Sequence, residues 1–306
     1  MHGLIKKALN GINSIVLGKD EQARLTLACL LAKGHLLLED LPGMGKTTLS
    51  HTLAEVLGLQ YNRIQFTSDL LPADILGVSI FDQNKSTFEF RAGPVFAQVI
   101  LADEINRATP KAQSALLEAM EERQVTVDGV TRELPKPFFV IATQNPSTQM
   151  GTFPLPESQL DRFLMKVSLG YPDSAAEREL ILGVDRRSLL ADLKPAMELD
   201  DLFRLQLLVK EVHLSDSIVD YIQRLVHFTR TSPGFAYGLS PRGTLALVRS
   251  SQAWAYVDGR EHVVPEDVQQ VLPSVAEHRL RGSADHTGHE GSSLVQRLLS
   301  EVDVVG

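Results

Sequence analysis

The stretch Leu38–Thr47 reads LEDLPGMGKT and lies between an apolar run and a segment with helical spacing. A turn with two glycines lets backbone N–H groups wrap around a phosphate, and the helix that follows adds the positive end of its dipole. The lysine and the hydroxyl residue that close such a turn supply a cation for the β- and γ-phosphates and an oxygen ligand for Mg²⁺. We therefore predict that Lys46 binds phosphate and that Thr47 binds the metal.

The predicted phosphate-binding segment contains Pro42, Gly43, Met44, Gly45, Lys46, Thr47 and Thr48. The usual pattern has a glycine six positions before the lysine, and this chain has Asp40 there instead. The alternative is a glycine-rich turn that arose by chance. The strand pattern before the segment and the helical pattern after it disfavour that alternative.

Five short apolar segments have the length and composition of buried strands. They are His35–Glu39, Tyr61–Phe66, Val99–Asp103, Phe138–Thr143 and Phe163–Leu169. Segments with helical spacing separate them, which predicts a five-stranded parallel sheet covered by helices on both faces. One such helix follows Thr109 as its cap and has Pro110 at its first position. Its buried stripe is predicted at Ala112, Ala115, Leu116, Ala119 and Met120.

Two β-hairpins interrupt the α/β pattern, at about residues 78–91 and 125–134. In the second hairpin Asp128-Gly129 stands between β-branched runs, which is a strong signal for a tight turn.

After about residue 170 the pattern becomes helical, with helices predicted at 175–190, 200–212, 216–231, 241–257, 265–280 and 294–302. We thus predict an α/β core over residues 1–170 and an all-helical domain over residues 171–306, with a mobile stretch at Gly282–Ser293 and a last helix docked on the helical domain.

The run Val99–Glu104 delivers two carboxylates at the end of an apolar strand, where ligands of parallel sheets bind. Asp103 is predicted to hold Mg²⁺, directly or through water, and Glu104 to orient and polarise an attacking water. A helix cap or a salt-bridge pair is the structural alternative for these two residues.

Composition narrows the classes of protein to which this chain can belong. Lys and Arg total 30 against 38 Asp and Glu, a formal net charge of −8, so a nucleic-acid partner is disfavoured. The single cysteine, Cys29, rules out a disulfide within the chain and is expected in the core. No transmembrane run or signal peptide is expected, which favours the cytoplasm. His278, His286 and His289 are not expected to bind a metal.

Four segments together closely resemble the MoxR family of AAA+ ATPases. They are Leu38–Thr47, Leu101–Ala108 (LADEINRA), Ala142–Pro146 (ATQNP) and Leu155–Phe163 (LPESQLDRF). The resemblance covers about residues 14–280, and Asp40 is itself typical of that family. It implies an α/β P-loop NTPase core followed by a helical lid, with ATP and Mg²⁺ bound between subunits of a ring. The two hairpins fall where related AAA+ proteins carry the helix-2 insert and the pre-sensor-1 hairpin.

The resemblance also implies roles for single residues. Asn145 matches the sensor-1 position beside the γ-phosphate, with a simple turn residue as the alternative. Arg162 matches the arginine finger that acts on a neighbouring subunit's nucleotide; the alternative is an ion pair with Asp161 or Glu157. Arg242 matches sensor 2, which reaches from the helical lid to the γ-phosphate; the alternative is a solvated surface arginine. Ser240 and Pro241 place it in the first turn of a helix, where a cation is disfavoured unless an anion binds nearby.

The implied adenine-contacting segment precedes the first predicted helix and includes Leu17 and Gly18. Arg107 is as consistent with a subunit interface as with a structural role.

By resemblance the protein is a homo-oligomer, a hexamer, with a chaperone-like role in the maturation or assembly of protein complexes, alongside partners that carry a von Willebrand factor A domain. Two rivals stay open: a nucleic-acid-dependent AAA+ motor, and a nucleotide-gated scaffold that does not hydrolyse ATP.

Overall fold

The computed structural model describes residues 1–145, 151–183, 186–283 and 291–305. Within this part of the chain the strands are β1 Leu36–Glu39, β2 Tyr61–Gln65, β3 Gly77–Asp82, β4 Thr87–Ala92, β5 Val99–Asp103, β6 Gln124–Val127, β7 Val130–Glu133, β8 Phe139–Gln144, β9 Met165–Val167, β10 Phe235–Tyr237 and β11 Arg281–Gly282. The helices are α1 His2–Ile15, α2 Asp20–Leu31, α3 Lys46–Val56, α4 Pro72–Leu76, α5 Pro110–Glu122, α6 Glu157–Leu160, α7 Ser174–Leu182, α8 Arg186–Ala191, α9 Leu199–Glu211, α10 Asp216–Thr231, α11 Pro241–Val257, α12 Pro265–Ala276 and α13 Gly291–Glu301, with a 3₁₀ turn at Ile105–Arg107.

The predicted five-stranded parallel sheet is present, in the order β2-β5-β8-β1-β9. The central strands are continuous apolar runs because helices cover both faces of the sheet. Parallel register brings the carboxyl ends of β1, β5 and β8 to one edge. That edge carries Glu39, Asp103 and Gln144, with Asn145 directly after β8.

Helix α5 covers one face of this sheet. Of its predicted stripe Ala112, Leu116, Ala119 and Met120 are buried, and Ala115 is half-buried. The helix begins at Pro110 as expected, but the side chain of Thr109 makes no capping hydrogen bond. Thr109 thus occupies the predicted N-cap position without a side-chain cap, and the fixed φ of proline favours a helix start there.

Both hairpins lie at their predicted places, β3 with β4 and β6 with β7. In the second hairpin Asp128 and Gly129 both have positive φ, 52° and 75°, as a primed two-residue turn requires.

The second part of the chain is a helical lid with three departures from the prediction. The helix expected at 175–190 ends at Leu182, before Gly183, whose backbone is extended (ψ 176°); α8 then begins at Arg186. Helix α12 ends at Ala276 instead of Leu280. A short antiparallel pair, β10 with β11, joins two of the lid loops. Most of Gly282–Ser293, the stretch expected to be mobile, lies outside the described residues.

The last helix, α13, docks on the lid as predicted, with Leu294, Val295 and Leu298 buried. A helix that the sequence reading missed, α1, opens the chain. The segment with Leu17 and Gly18 therefore connects α1 to α2 and does not precede the first helix. None of the described helices is both long enough and apolar enough to cross a bilayer.

Candidate active site

The glycine-rich turn ends where α3 begins, at Lys46, with Gly45 as the N-cap. Gly43 and Gly45 have φ values of 86° and 90°, and no heavy atom lies within 4 Å of the position that a Cβ would take at either residue. The turn therefore presents its backbone to open space, as phosphate binding requires. A cavity of about 280 Å³ opens there, lined by Pro42, Gly43, Gly45, Lys46, Thr47, Thr48, Asp103, Glu104 and Asn145.

The Lys46 side chain is buried and lines this cavity. Its Nζ donates to the carbonyl oxygen of Asp40 at 2.7 Å and to Oδ1 of Asn145 at 3.3 Å. Burial lowers the pKa of Lys46, while the nearby carboxylates of Asp40, Asp103 and Glu104 favour its charged form. A phosphate beside this ammonium group would give the positive charge a direct counter-ion.

Asp103 is held in place from two sides. Its Oδ1 accepts a hydrogen bond from Oγ1 of Thr143 at 2.6 Å. Its Oδ2 accepts from Nε and Nη2 of Arg63 on β2, at 3.1 and 2.6 Å. A fixed carboxylate at the end of a buried strand suits a metal site, and the arginine supplies a cationic partner for the same oxygen.

Glu104 takes a left-handed backbone conformation, with φ 56° and ψ 48°, directly after β5. Its backbone N–H donates to Oγ1 of Thr143 at 2.8 Å. The carboxylate accepts a hydrogen bond from Nδ2 of Asn145 at 3.0 Å and pairs with Nε of Arg107 at 2.9 Å. Gln65 also donates to it, at 3.3 Å. Arg107 is thus placed beside Glu104 in its own chain.

The cavity's donors fit a magnesium–nucleotide complex. A hydroxyl on Thr47 and a carboxylate on Asp103 are hard oxygen ligands of the kind that Mg²⁺ prefers, and Mg²⁺ sites use few protein ligands. The open glycine turn and the Lys46 ammonium group supply what phosphate oxygens need. Among the described residues, no three or more His, Cys, Asp or Glu side chains cluster as a ready-made metal site.

Asp40, at the position where a glycine was expected, has a structural task. Its Oδ2 accepts hydrogen bonds from the backbone N–H groups of Leu169 and Gly170, at 2.6 and 2.7 Å, and from the Ser168 hydroxyl at 3.1 Å. The carboxylate therefore ties the start of the phosphate-binding turn to the segment that leads into the lid. A glycine could not make this connection.

Three residues of the predicted nucleotide-binding set do not line the cavity. Met44 is half-buried and packs against the hydrophobic core. Leu17 and Gly18 lie in the connection from α1 to α2. Gly18, whose φ is 64°, is next to α7: a Cβ there would stand 2.8 Å from Cβ of Ala176.

The two predicted catalytic arginines lie away from the cavity of their own chain. Arg162 donates from Nη1 to the carbonyl oxygen of Leu117 at 2.6 Å. Arg242 pairs with Glu121 at 2.7 Å, and half of its side chain is exposed. Leu117 and Glu121 both belong to the last turns of α5, where the helix dipole and the carboxylate attract cations. The fold thus brings Arg162 and Arg242 together on one face.

The alternative interpretation of Arg162, an ion pair with Asp161 or Glu157, is not observed. Asp161 pairs with Arg279 at 2.7 Å and Glu157 with Arg281 at 3.3 Å, because the end of α12 packs against this segment.

Sequence reasoning missed four contributors to the site: Asp40 as a link to the lid, Arg63, Gln65 and Thr143. Thr143 carried a usable signal, since it is a polar residue at the end of an otherwise apolar buried strand. Arg63 and Gln65 alternate with the buried Ile64 on β2 and read as exposed positions of an edge strand. Only the order of the strands reveals that β2 lies beside β5 and its carboxylates.

The remaining sequence predictions concern core residues. Cys29 is fully buried, and burial raises the pKa of its thiol, in line with the expected packing role. His278 is also buried, with Nε2 at 3.2 Å from the carbonyl oxygen of Phe163. His286 and His289 lie outside the described residues.

A glycine-rich turn at the carboxyl edge of a parallel sheet, followed by a helical lid, is the architecture of AAA+ ATPases. Residues 35–165 match the family described as "ATPase family associated with various cellular activities (AAA)", and residues 227–298 match the AAA lid domain.

Relatives that span most of the chain narrow this class. Chaperone MoxR1 of Mycobacterium tuberculosis is 41% identical, over 97% of this chain and 81% of its own length. YeaC of Bacillus subtilis is 46% identical over 99% and 96% of the two chains. The chain belongs to the MoxR family of AAA+ ATPases. A solved structure of a protein from Cytophaga hutchinsonii, proposed to be an ATPase, superposes with a TM-score of 0.89 at 36% identity, covering 99% of this chain and 95% of the other.

Proposed function

We propose that this protein binds ATP with Mg²⁺ and hydrolyses it to ADP and phosphate. One observation carries the proposal: Lys46, Asp103, Glu104 and Asn145 converge on a single cavity beside an open glycine turn. These residue types supply a phosphate-binding cation, a metal ligand, a water-polarising carboxylate and a neutral orienting group.

In this proposal Lys46 and the backbone of the turn bind the β- and γ-phosphates. Thr47 and Asp103 would hold Mg²⁺, which when bound supplies positive charge next to the phosphate oxygens. Glu104 orients and polarises the attacking water, and Asn145, which already contacts both Lys46 and Glu104, keeps the carboxylate aimed at it. Leu17 and Gly18 would contact the adenine from the α1–α2 connection.

We further propose that the active site is completed by a neighbouring subunit in a hexameric ring. Arg162 and Arg242 rest together on α5 and line no part of their own chain's cavity. Two cations gathered on one face fit the nucleotide of an adjacent copy. The division of the chain into core and lid at about residue 170 is part of this proposal.

The biological role is proposed from the family. A relative is named a chaperone, and we propose that this protein uses ATP in the cytoplasm to mature or assemble protein complexes, with a partner that carries a von Willebrand factor A domain. Affinity capture with Glu104→Gln, which should hold ATP without turnover, tests this. Enrichment of such a partner only with ATP is expected; the same proteins captured by Lys46→Ala would contradict it.

Hydrolysis itself is tested by steady-state phosphate release. Lys46→Ala should fail to bind ATP because the phosphates lose their main counter-charge. Glu104→Gln should bind ATP but hydrolyse it at least ~10²-fold more slowly, the usual scale of a general-base contribution. A wild-type protein that binds ATP without releasing phosphate would instead be the non-hydrolysing scaffold.

The shared site is tested by mixing two inactive variants. Arg162→Ala keeps its own nucleotide-binding cavity, and Lys46→Ala keeps its own arginine. Mixing them should restore part of the activity, because an intact cavity then meets an intact arginine across an interface. The specific activity of the wild type should also rise with protein concentration. If subunit exchange is demonstrated and neither effect is seen, Arg162 does not act between subunits.

A further inference from the structure

Arg279 follows α12 and is one of the most enclosed cations of the described chain, with 5% of its side chain exposed. Its guanidinium group donates hydrogen bonds to three residues of segment 161–164, which contains Arg162. Nε donates to Oδ1 of Asp161 at 2.7 Å, and Nη2 donates to the carbonyl oxygen of Phe163 at 2.6 Å. Nη1 donates to the carbonyl oxygen of Leu164 at 3.2 Å. A lid residue therefore holds the backbone on the C-terminal side of Arg162 and the carboxylate on its N-terminal side.

The same side chain also lies beside the turn that carries Arg242. A Cβ on Gly243 would lie 3.2 Å from Cδ of Arg279, so the absence of a side chain there lets the arginine pass. Ser240, which caps α11, donates from its hydroxyl to Oδ2 of Asp161 at 3.4 Å and accepts from the Gly243 N–H at 3.0 Å. Asp161 and Arg279 thus join the first turn of α11 to the segment of Arg162.

We propose that Arg279 is a positioning residue that holds Arg162 and Arg242 in one fixed arrangement for the neighbouring subunit's nucleotide. The inference rests on the proposed function, because it assigns Arg279 to the donor side of the shared site. A planar guanidinium group with several fixed donors suits this task, since it sets the distance and the angle between the elements it joins. Small displacements of a catalytic group cost large factors in rate.

The competing explanation is that Arg279 only fastens the lid to the core. Such a role predicts that an Arg279 variant loses equal activity when it supplies the nucleotide cavity and when it supplies the arginines to a neighbour. A positioning role predicts a loss of activity only when the variant supplies the arginines, which we call the donor side. The two sides are separated by mixing experiments, because each partner variant supplies one defined half of the site.

The test uses Arg279→Lys, which keeps the positive charge but loses the planar guanidinium group and its fixed donors. Mixed with Lys46→Ala, its intact cavity meets a normal arginine, so activity should reach that of the reference mixture of Lys46→Ala with Arg162→Ala. Mixed with Arg162→Ala, it must supply the arginine itself, and activity should be at least ~10-fold below the reference. ATP affinity measured on Arg279→Lys alone should match the wild type.

Two further variants complete the test. Asp161→Asn preserves the shape of the side chain but removes its charge, and it should show the same loss of activity on the donor side. It replaces Arg279→Lys in the mixtures if that variant does not fold. Arg281→Gln, which among the described residues removes the exposed pair with Glu157, is the matched control. It should match the wild type both when it supplies the arginine and when it supplies the nucleotide cavity. Equal losses on both sides, or a normal donor, would overturn the inference. A reference mixture without activity would instead refute the shared site.

Discussion

Asp103, the proposed metal ligand, already has a cationic partner in its own chain. Arg63 donates two hydrogen bonds to the same carboxylate oxygen, while Thr143 holds the other oxygen. A metal ion that binds at Oδ2 would share this oxygen with Arg63 or displace the arginine. We therefore expect Arg63 to weaken the binding of Mg²⁺ at this carboxylate.

Replacing Arg63 by glutamine should lower the Mg²⁺ concentration needed for half-maximal phosphate release several-fold. The matched control is Arg107→Gln, which frees Glu104 and leaves Asp103 paired. It should change the maximal rate with little change in the Mg²⁺ dependence. A Mg²⁺ titration that is unchanged in Arg63→Gln would show that this arginine does not compete with the metal.

His35 is a buried histidine whose two hydrogen bonds require the neutral ring. Nδ1 accepts from the Val140 N–H at 3.0 Å, and Nε2 lies 3.2 Å from the carbonyl oxygen of Met120, to which it donates. Burial lowers the pKa of His35 from 6.5 to about 4. The folded protein therefore binds this proton less readily than the unfolded chain, and the contribution to stability is complete above pH 6.5.

That contribution should be lost as the pH falls from about 6.5 to about 4. The shift corresponds to about 3 kcal/mol of the free energy of unfolding. His35→Asn, which keeps an acceptor but does not titrate, should lose about that much less stability than the wild type between pH 7 and pH 4. Denaturant unfolding at several pH values measures the difference, and parallel curves for the two proteins would contradict the assignment.

Among the elements, α11 connects lid stability to the proposed chemistry. Its first turn carries Arg242, and Ser240 caps it with a hydroxyl that accepts the Gly243 N–H. Helix α10 has an equivalent cap, Ser215, whose hydroxyl accepts the Ile218 N–H at 3.4 Å. The two caps have the same chemistry but different surroundings, because only Ser240 also touches Asp161.

Ser240→Ala and Ser215→Ala should each lower the free energy of unfolding by about 1 kcal/mol, the usual value of an N-cap. Only Ser240→Ala should also reduce phosphate release, since only that cap holds an arginine of the shared site. Thermal melts and activity assays on the two variants make the comparison. Equal activities would show that the start of α11 tolerates the loss of its cap.

At the scale of the whole molecule, charge argues against the nucleic-acid motor. The chain carries a net charge of −8. The turn of the first hairpin contains Asp82, Asn84 and Lys85, and the turn of the second contains Asp128. Such tips offer no concentration of cations for a phosphate backbone.

Duplex and single-stranded DNA should therefore leave phosphate release within about twofold of its basal rate, even at low salt, where electrostatic binding is strongest. The measurement is a DNA titration of the wild-type ATPase at low and physiological ionic strength. A saturable, salt-sensitive stimulation would instead support the motor.

Several features of this protein were open to prediction because they depend on neighbours along the chain. The glycine turn before α3 and the apolar strands have local signatures in spacing and composition. The Asp128-Gly129 turn and the Ser240 cap are equally local, and the structure has all of them. Asp103, Glu104 and Asn145 could be placed at one edge because parallel strands share the direction of their carboxyl ends.

Other features were decided by tertiary structure, because their partners are distant in sequence. Asp40 bonds to a residue 129 positions away, and Arg279 to Asp161, 118 positions away. Arg63 meets Asp103 only because β2 pairs with β5. Arg162 and Arg242 both reach the last turns of α5, although they lie 80 positions apart along the chain. Such pairings depend on how helices and strands pack against one another, and no local sequence pattern specifies that packing. The spacing of buried side chains along a helix or strand, by contrast, is set by the local backbone geometry and can be read from the sequence.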